Sequence, residues 1–381
     1  MLQTADVDDR GSLRRRLTAF VVVVQSILFV VHAGVGVAAA SFLDLHTPTQ
    51  ILMLTGILGG LSLTFVPASM LAFRSRSAGA KAFYRVAAVW LGFLNYLFFG
   101  ALLAWVLDGM NRIIGSPIDR IWIGGVVGAL SLLTALAAFL NAGRIRILRK
   151  TMSLPNLPES WKGRTLAVVS DIHLGHVRGA GFLTRLVAMI ARENPDLVVV
   201  PGDLYDGTAV DAAALAEPWA KLSPPYGTYF VTGNHDEFTD PARLLAPLSA
   251  AGVRTLANEV VQVDGLQIAG IHDGDHRDPV VLRSLLRGLK LDRSKASLLL
   301  AHSPINLRIA EEAGLSLQIS GHTHGGQFLP WTWVVDRIYG AYASGLHAFG
   351  ELQVLTSVGA GTWGPPMRLG TNPEIVLLTF R

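Results

Sequence analysis

Seven side chains of three kinds recur in short polar breaks between apolar runs. They are Asp171 and His173 in SDIH, Asp203 in PGD, Asn234 in GNHD, His302 in AHSP, and His322 with His324 in GHTHGGQ. Imidazole, carboxylate and carboxamide oxygen are donors for first-row divalent ions, and two such ions ~3.5–4 Å apart can polarise an ester oxygen and activate a water. His322 and His324 are two residues apart, a spacing that points side chains to opposite faces of a strand. Bringing both rings to one centre, or to two adjacent ones, therefore requires a tight loop, which the flanking glycines permit. A lone His-x-His also occurs in ordinary turns; the four companion motifs make this one a metal-site candidate.

Each motif needs an element to hold it. The preceding runs, LAVV, DLVVV, TYFV, SLLL and LSLQI, read as buried strands too short and too punctuated for buried helices. Residues 181–195 and 211–222 have helical spacing and fit crossovers between strands. Strand ends converging on one edge of a helix-covered sheet give an α/β fold, with the chemistry at that edge.

The ordered series D-x-H, GD, GNHD, H and GH-x-H, from Asp171 to His324, resembles the calcineurin-like metallophosphoesterases. The resemblance implies a four-layer αββα sandwich with mixed sheets. It also implies two divalent ions (Mn, Fe or Zn), one on Asp171, His173 and His324, the other on Asn234, His302 and His322, with Asp203 shared. A hydroxide held between the ions would attack phosphorus. His235 would be the catalytic residue, stabilising the transition state or protonating the leaving oxygen, with Asp236 as its orienting partner. The GGQ after His324 and the tail from Val358 to Phe380 are similar to a membrane-associated branch that includes UDP-diacylglucosamine pyrophosphohydrolases. The implied substrate is a phosphate ester or pyrophosphate, lipid-linked by expectation. A degenerate domain serving as a membrane receptor or scaffold is the alternative, and it would require gaps among the seven ligand positions.

Composition divides the 381 residues. The stretches 17–43, 51–73, 86–107 and 121–143 contain no Asp, Glu, Lys or Arg, and each is long enough for a hydrocarbon core that takes ~20 residues. Four membrane helices within residues 1–150 are expected, then a linker over 151–164 and the phosphoesterase domain over 165–381. Arg10, Arg14, Arg15 and Arg16 precede the first stretch, Arg74, Arg76, Lys81 and Arg85 lie in the second connection, and Arg144, Arg146, Arg149 and Lys150 follow the fourth. The first connection has no Lys or Arg, and the third has Arg112 and Arg120 with Asp108 and Asp119 nearby. Because cytoplasmic loops are rich in Lys and Arg, the expectation is a multi-pass protein with its catalytic domain in the cytoplasm.

Residues 1–150 carry net charge +8 and residues 151–381 carry −4, so the basic balance follows the membrane flanks and nucleic acid is not an expected partner. With no cysteine, disulfides and thiolate ligands are excluded. No P-loop motif occurs, so ATP-driven function is not supported. Of the remaining histidines, His272 in GIHDGDH reads as part of a polar turn, with Asp273 able to orient an imidazole. His32 lies in the first apolar stretch without a partner carboxylate there, and Pro67 reads as a packing feature of the second. Trp331, Trp333 and Trp363 read either as a lipid-facing or substrate-stacking rim, or as core or membrane-interface aromatics. The sequence leaves oligomeric state open.

Overall fold

The structure, a computed structural model, describes residues 2–115, 118–238 and 241–381, with the side chains of 2–14, 16, 17, 238, 241 and 242 outside the described set. Arg10, Arg14 and Arg16 fall among those side chains. The chain forms two compact units, Met1–Ala137 and Ala138–Arg381.

The first unit is built from α1 (Leu2–Phe42), α2 (Pro48–Ser62), α3 (Phe65–Ala72), α4 (Ala78–Ile113) and most of α5 (Arg120–Asn141). Four stretches, Thr18–Phe42, Pro48–Ala72, Ala78–Ile113 and Arg120–Asn141, are long and apolar enough to cross a membrane. The second is broken at Leu63 and Thr64, because Pro67 has no N–H for the Leu63 carbonyl and its ring crowds that carbonyl. His32 is buried, its Nδ1 facing the Leu28 carbonyl at 2.7 Å while the Trp90 indole donates to its Nε2 at 2.9 Å, which makes it a packing residue between α1 and α4. Asp108 is buried at the end of α4 and takes Arg112 at 2.7 Å and Arg120 at 3.9 Å.

Among its described residues the second unit holds twelve strands in two mixed sheets. One has the order β1 (Arg146–Met152), β12 (Glu374–Phe380), β2 (Thr165–Val168), β3 (Leu197–Pro201), β4 (Thr228–Val231), β5 (Val253–Thr255). The other has the order β10 (Gly345–Phe349), β11 (Leu352–Thr356), β9 (Leu317–Ser320), β8 (Ser297–Leu300), β7 (Leu266–Gly270), β6 (Glu259–Val263). β2 through β5 are mutually parallel, as are β7, β8, β9 and β11, so the ends that carry the five motifs point one way within each sheet.

Alternation along the strands makes the layers. Leu166 and Val168 of β2, Leu197 and Val199 of β3, and Leu378 of β12 meet Ile268, Leu298, Leu300, Leu317 and Ile319 of the other sheet in one core. Their neighbours Ala167, Val198 and Val200 face outward under α6 (Ala180–Arg192), α7 (Ala212–Ala216) and α8 (Pro241–Ala250). After the short α9 (Asp273–Arg277), α10 (Pro279–Gly288) and α11 (Leu307–Glu312) cover the second sheet through Leu282, Leu286 and Ile309. The result is a four-layer αββα sandwich, and α12 (Trp331–Tyr339) lies outside that layering.

The tether expected over 151–164 is instead built into the domain, which begins before residue 151. β1 pairs with β12 from Arg146 to Met152, and Asn141 Nδ2 donates to the Arg368 carbonyl at 3.1 Å. Trp161 is fully buried, stacked on Tyr226 at 4.9 Å, with its indole N–H on the Val263 carbonyl at 3.0 Å. Arg146, Arg149 and Lys150 thus belong to an edge strand, where charge guards against stray pairing, and Arg149 pairs with Glu193.

Candidate metal centre

The site sits where β2, β3, β4, β8 and β9 end. Asp171, His173, Asp203, His322 and His324 all hold φ between +49° and +72°, a region that costs a non-glycine residue ~1–3 kcal/mol and persists where surrounding structure enforces it. That backbone resolves the spacing problem of His322 and His324. The chain turns at each ring, and both Asp171 oxygens accept the His322 N–H, at 3.0 and 3.1 Å. Gly321 is required for close approach, since a Cβ there would stand 2.0 Å from Ser170 Oγ and 2.2 Å from Asp171 Oδ2.

The buried donors form a connected cluster. His173 Nε2 and His324 Nε2 face each other at 3.0 Å, and His324 Nε2 lies 3.5 Å from Asp171 Oδ1. Asp203 Oδ2 stands 3.1 Å from His302 Nε2 and 3.7 Å from His173 Nε2, while its Oδ1 accepts the His235 backbone N–H at 2.9 Å. His302 Nδ1 donates to the Pro201 carbonyl at 2.9 Å, and His322 Nδ1 stands 3.3 Å from His302 Nε2. Among the described residues three overlapping donor groups follow: Asp171, His173 and His324; His173, Asp203 and His235; Asp171, Asp203 and His302.

Residues 164–326 match the calcineurin-like phosphoesterase family model. An uncharacterized metallophosphoesterase of Campylobacter jejuni is 30% identical over 327 residues, covering 82% of this chain and 86% of the relative. The chain belongs to this metallophosphoesterase family. A second uncharacterized member, from Aquifex aeolicus, is 34% identical over 246 residues, 62% of this chain and 92% of its own. A Danio rerio transmembrane protein with metallophosphoesterase domain is 34% identical over 243 residues, and there the chain spans 59% of its own length and 55% of the relative's. The protein is accordingly a phosphoesterase of the hydrolase class, with apolar helices that point to a membrane protein.

The electrostatics of this metallophosphoesterase suit metal binding. Burial, partly opposed by Asp203, pushes His173 down to about 3; burial, with the neighbouring His302 and Arg277, pushes His322 down to about 4; and burial, with Arg368 and His173, lowers His324 well below the usual range. Neutral rings keep the lone pair a metal needs, whereas His302, against its burial, is raised to about 10 by the charge and hydrogen bond of Asp203 and by Asp171, so an ion there would replace its proton. Burial would raise Asp203, yet the charge and hydrogen bond of His302 hold it well below the usual carboxylate range. Arg368 is fully buried and donates to His324 Nδ1 at 3.1 Å, which puts the proton of neutral His324 on Nε2, between the two rings. The imidazole nitrogens and carboxylate oxygens gathered here are the donor types the family's divalent ions take, and an ion held at His324 Nε2 would move that proton to Nδ1 and displace the Arg368 contact.

Other sequence expectations meet different partners. Asp236 is buried on backbone, accepting N–H from Gly233 and Tyr205 at 2.8 Å each, and the His235 ring nitrogen Nδ1 faces the Asp206 carbonyl at 3.2 Å. Asp273 holds Arg277 Nε at 2.6 Å and accepts from Ser303 Oγ at 3.0 Å. In place of the polar turn expected there, His272 precedes the short helix α9, with Nδ1 2.7 Å from Thr232 Oγ1. Two arginines escaped the sequence reading. Arg277 reaches Asn234 Oδ1 and His322 Nε2 at 3.4 Å each, and Arg368 also binds the carbonyls of Val358 (2.7 Å), Gly361 (2.8 Å) and His324 (2.9 Å). Their signal was slight: an arginine after GIHDGDH, and one in the Gly- and Pro-rich tail.

Proposed function

We propose that this metallophosphoesterase hydrolyses a phosphate ester or pyrophosphate of a membrane-resident substrate with two divalent ions. Asp171, His173 and His324 would hold one, Asn234, His302 and His322 the other, with Asp203 shared. The observation that carries this reading is the placement of Asp203, whose one oxygen faces His302 at 3.1 Å and His173 at 3.7 Å. Bound there, divalent ions would polarise the phosphoryl oxygens and lower the pKa of a water nucleophile.

The chain's own groups supply the rest. His235 lies edge-on to His173, ring centres 4.8 Å apart, and its Nδ1 proton is tied to the Asp206 carbonyl. Its Nε2 would give a proton to the leaving oxygen only from the imidazolium form, which burial disfavours, so that proton has to be taken up as the substrate's negative charge arrives. Arg277, positioned by Asp273 and Ser303, presents a guanidinium to a phosphoryl oxygen beside Asn234 and His322. A charge-assisted contact of ~1.5–3 kcal/mol predicts that Arg277→Ala raises KM about 10- to 100-fold with metal content unchanged. An unchanged KM would remove Arg277 from substrate binding.

Tethering supports a lipid-linked substrate, since confinement to the same bilayer raises effective concentration. In Mn²⁺-loaded nanodiscs the chain should cleave bis(p-nitrophenyl) phosphate, and a lipid phosphate in the same disc faster. Failure on every ester would sink the reaction, and preference for the soluble ester would sink the substrate class. Arg74, Arg76, Lys81 and Arg85 in one connection, against Arg112 and Arg120 engaged by Asp108 in another, support a multi-pass arrangement with a cytoplasmic catalytic domain. A reporter fused after Arg381 should be active inside the cell, and activity only outside would reverse that assignment.

A further inference from the structure

Among the described residues of 145–381, seven large apolar side chains are exposed, and five of them are Trp331, Trp333, Val334, Ile338 and Trp363. Four belong to α12. At 100° per residue, Thr332, Val335 and Tyr339 share the inward face of this helix, with Thr332 buried and the other two half-buried. Trp331, Val334 and Ile338 line the outward face, and Arg337 and Trp333 continue it on one side. A helix this apolar on its solvent side, with a cation among the indoles, matches the acyl and anionic headgroup boundary of a bilayer.

The same surface is locked to the site. A Cβ on Gly326 would stand 2.5 Å from the Thr332 backbone, so the GHTHGGQ loop presses directly on α12. The Tyr339 and His322 rings are 6.2 Å apart, and Trp363 lies edge-on to His235 at 5.8 Å. Gln327 clamps the Trp363 loop, accepting the Trp363 N–H at 2.8 Å and donating to the carbonyls of Trp363 and Pro365 at 3.0 and 2.9 Å.

We infer that α12 and Trp363 form a bilayer-contact surface that presents phosphorylated lipid headgroups to the metal centre. This rests on the reading of a membrane-anchored phosphoesterase and adds where the lipid is met. A second copy of the chain, whose exposed Asp336 could meet Arg337, is the alternative occupant; the exposed indoles Trp331 and Trp333 beside a cation favour the bilayer interface.

The cysteine-free chain allows a direct test. Val334→Cys and, as a control on α10, Val280→Cys are labelled with an environment-sensitive fluorophore in full-length, Mn²⁺-loaded protein, in nanodiscs of phosphatidylcholine and phosphatidylglycerol. Brominated acyl chains should quench the label at 334 roughly threefold or more strongly than the label at 280. Equal quenching overturns the inference, as does a blue shift at 334 that bromine leaves intact and that is lost when each disc holds one chain. Turnover of soluble bis(p-nitrophenyl) phosphate is followed in parallel. Quenching without turnover would leave the surface standing and sink the reaction, and turnover without quenching would do the reverse.

Discussion

Asp203→Asn is expected to abolish measurable turnover of an aryl phosphate ester, a larger loss than any other single substitution. The exchange keeps shape and removes charge, so its effect reports electrostatics more than packing. Asp203 is buried beside His302 and His173, and its second oxygen holds the His235 backbone, so one carboxylate serves both halves of the cluster. Partners that only orient a ligand typically cost ~10–100-fold when removed, and a shared carboxylate should exceed that range. The variant should also bind less metal at equal protein concentration. Folded Asp203→Asn protein with near-normal metal content and turnover would remove Asp203 from the centre of the account.

His235→Ala should show a different signature. A positioned proton donor contributes ~10²–10⁴ in rate, and losing it should lower kcat by that factor while KM and metal content stay near normal. The split follows from geometry: the ring stands at the edge of the cluster, held through Nδ1 by the Asp206 carbonyl, and is less deeply buried than His173 or His302. An ester with a better leaving group needs less protonation and should suffer less from the substitution. If His235→Ala instead lost metal in step with activity, the ring would be a ligand, as its proximity to His173 and Asp203 permits.

Much of the site was legible because each motif follows a short, mostly buried apolar run. Leu197, Val198 and Val199 read as a strand end whatever surrounds them, and a polar residue directly after such a run falls at the sheet edge. Arg277 and Arg368 were not legible because their meaning lies in distant partners. Arg368 acts on His324, 44 residues away, through a loop whose path no local pattern reveals. Asp273 was singled out as an orienting group, and its partner proved to be a guanidinium. β1 was hidden for another reason. Its charges, next to four apolar stretches, read as a membrane flank, and only the ladder with β12 identifies RILRKTM as an edge strand. Trp331 and Trp333 illustrate the remaining limit, since helical spacing alone does not say which face of α12 meets the GHTHGGQ loop.

The central claim, two ions on one set of buried donors, is tested most directly by returning metal to chelator-stripped full-length protein. Bound Mn²⁺ per chain and turnover of bis(p-nitrophenyl) phosphate should be followed in the same titration. The prediction is that turnover rises only as the second ion is taken up, and that Asn234→Ala halts the titration at one ion without turnover. Full activity at one ion per chain, or turnover in the stripped protein, would contradict it.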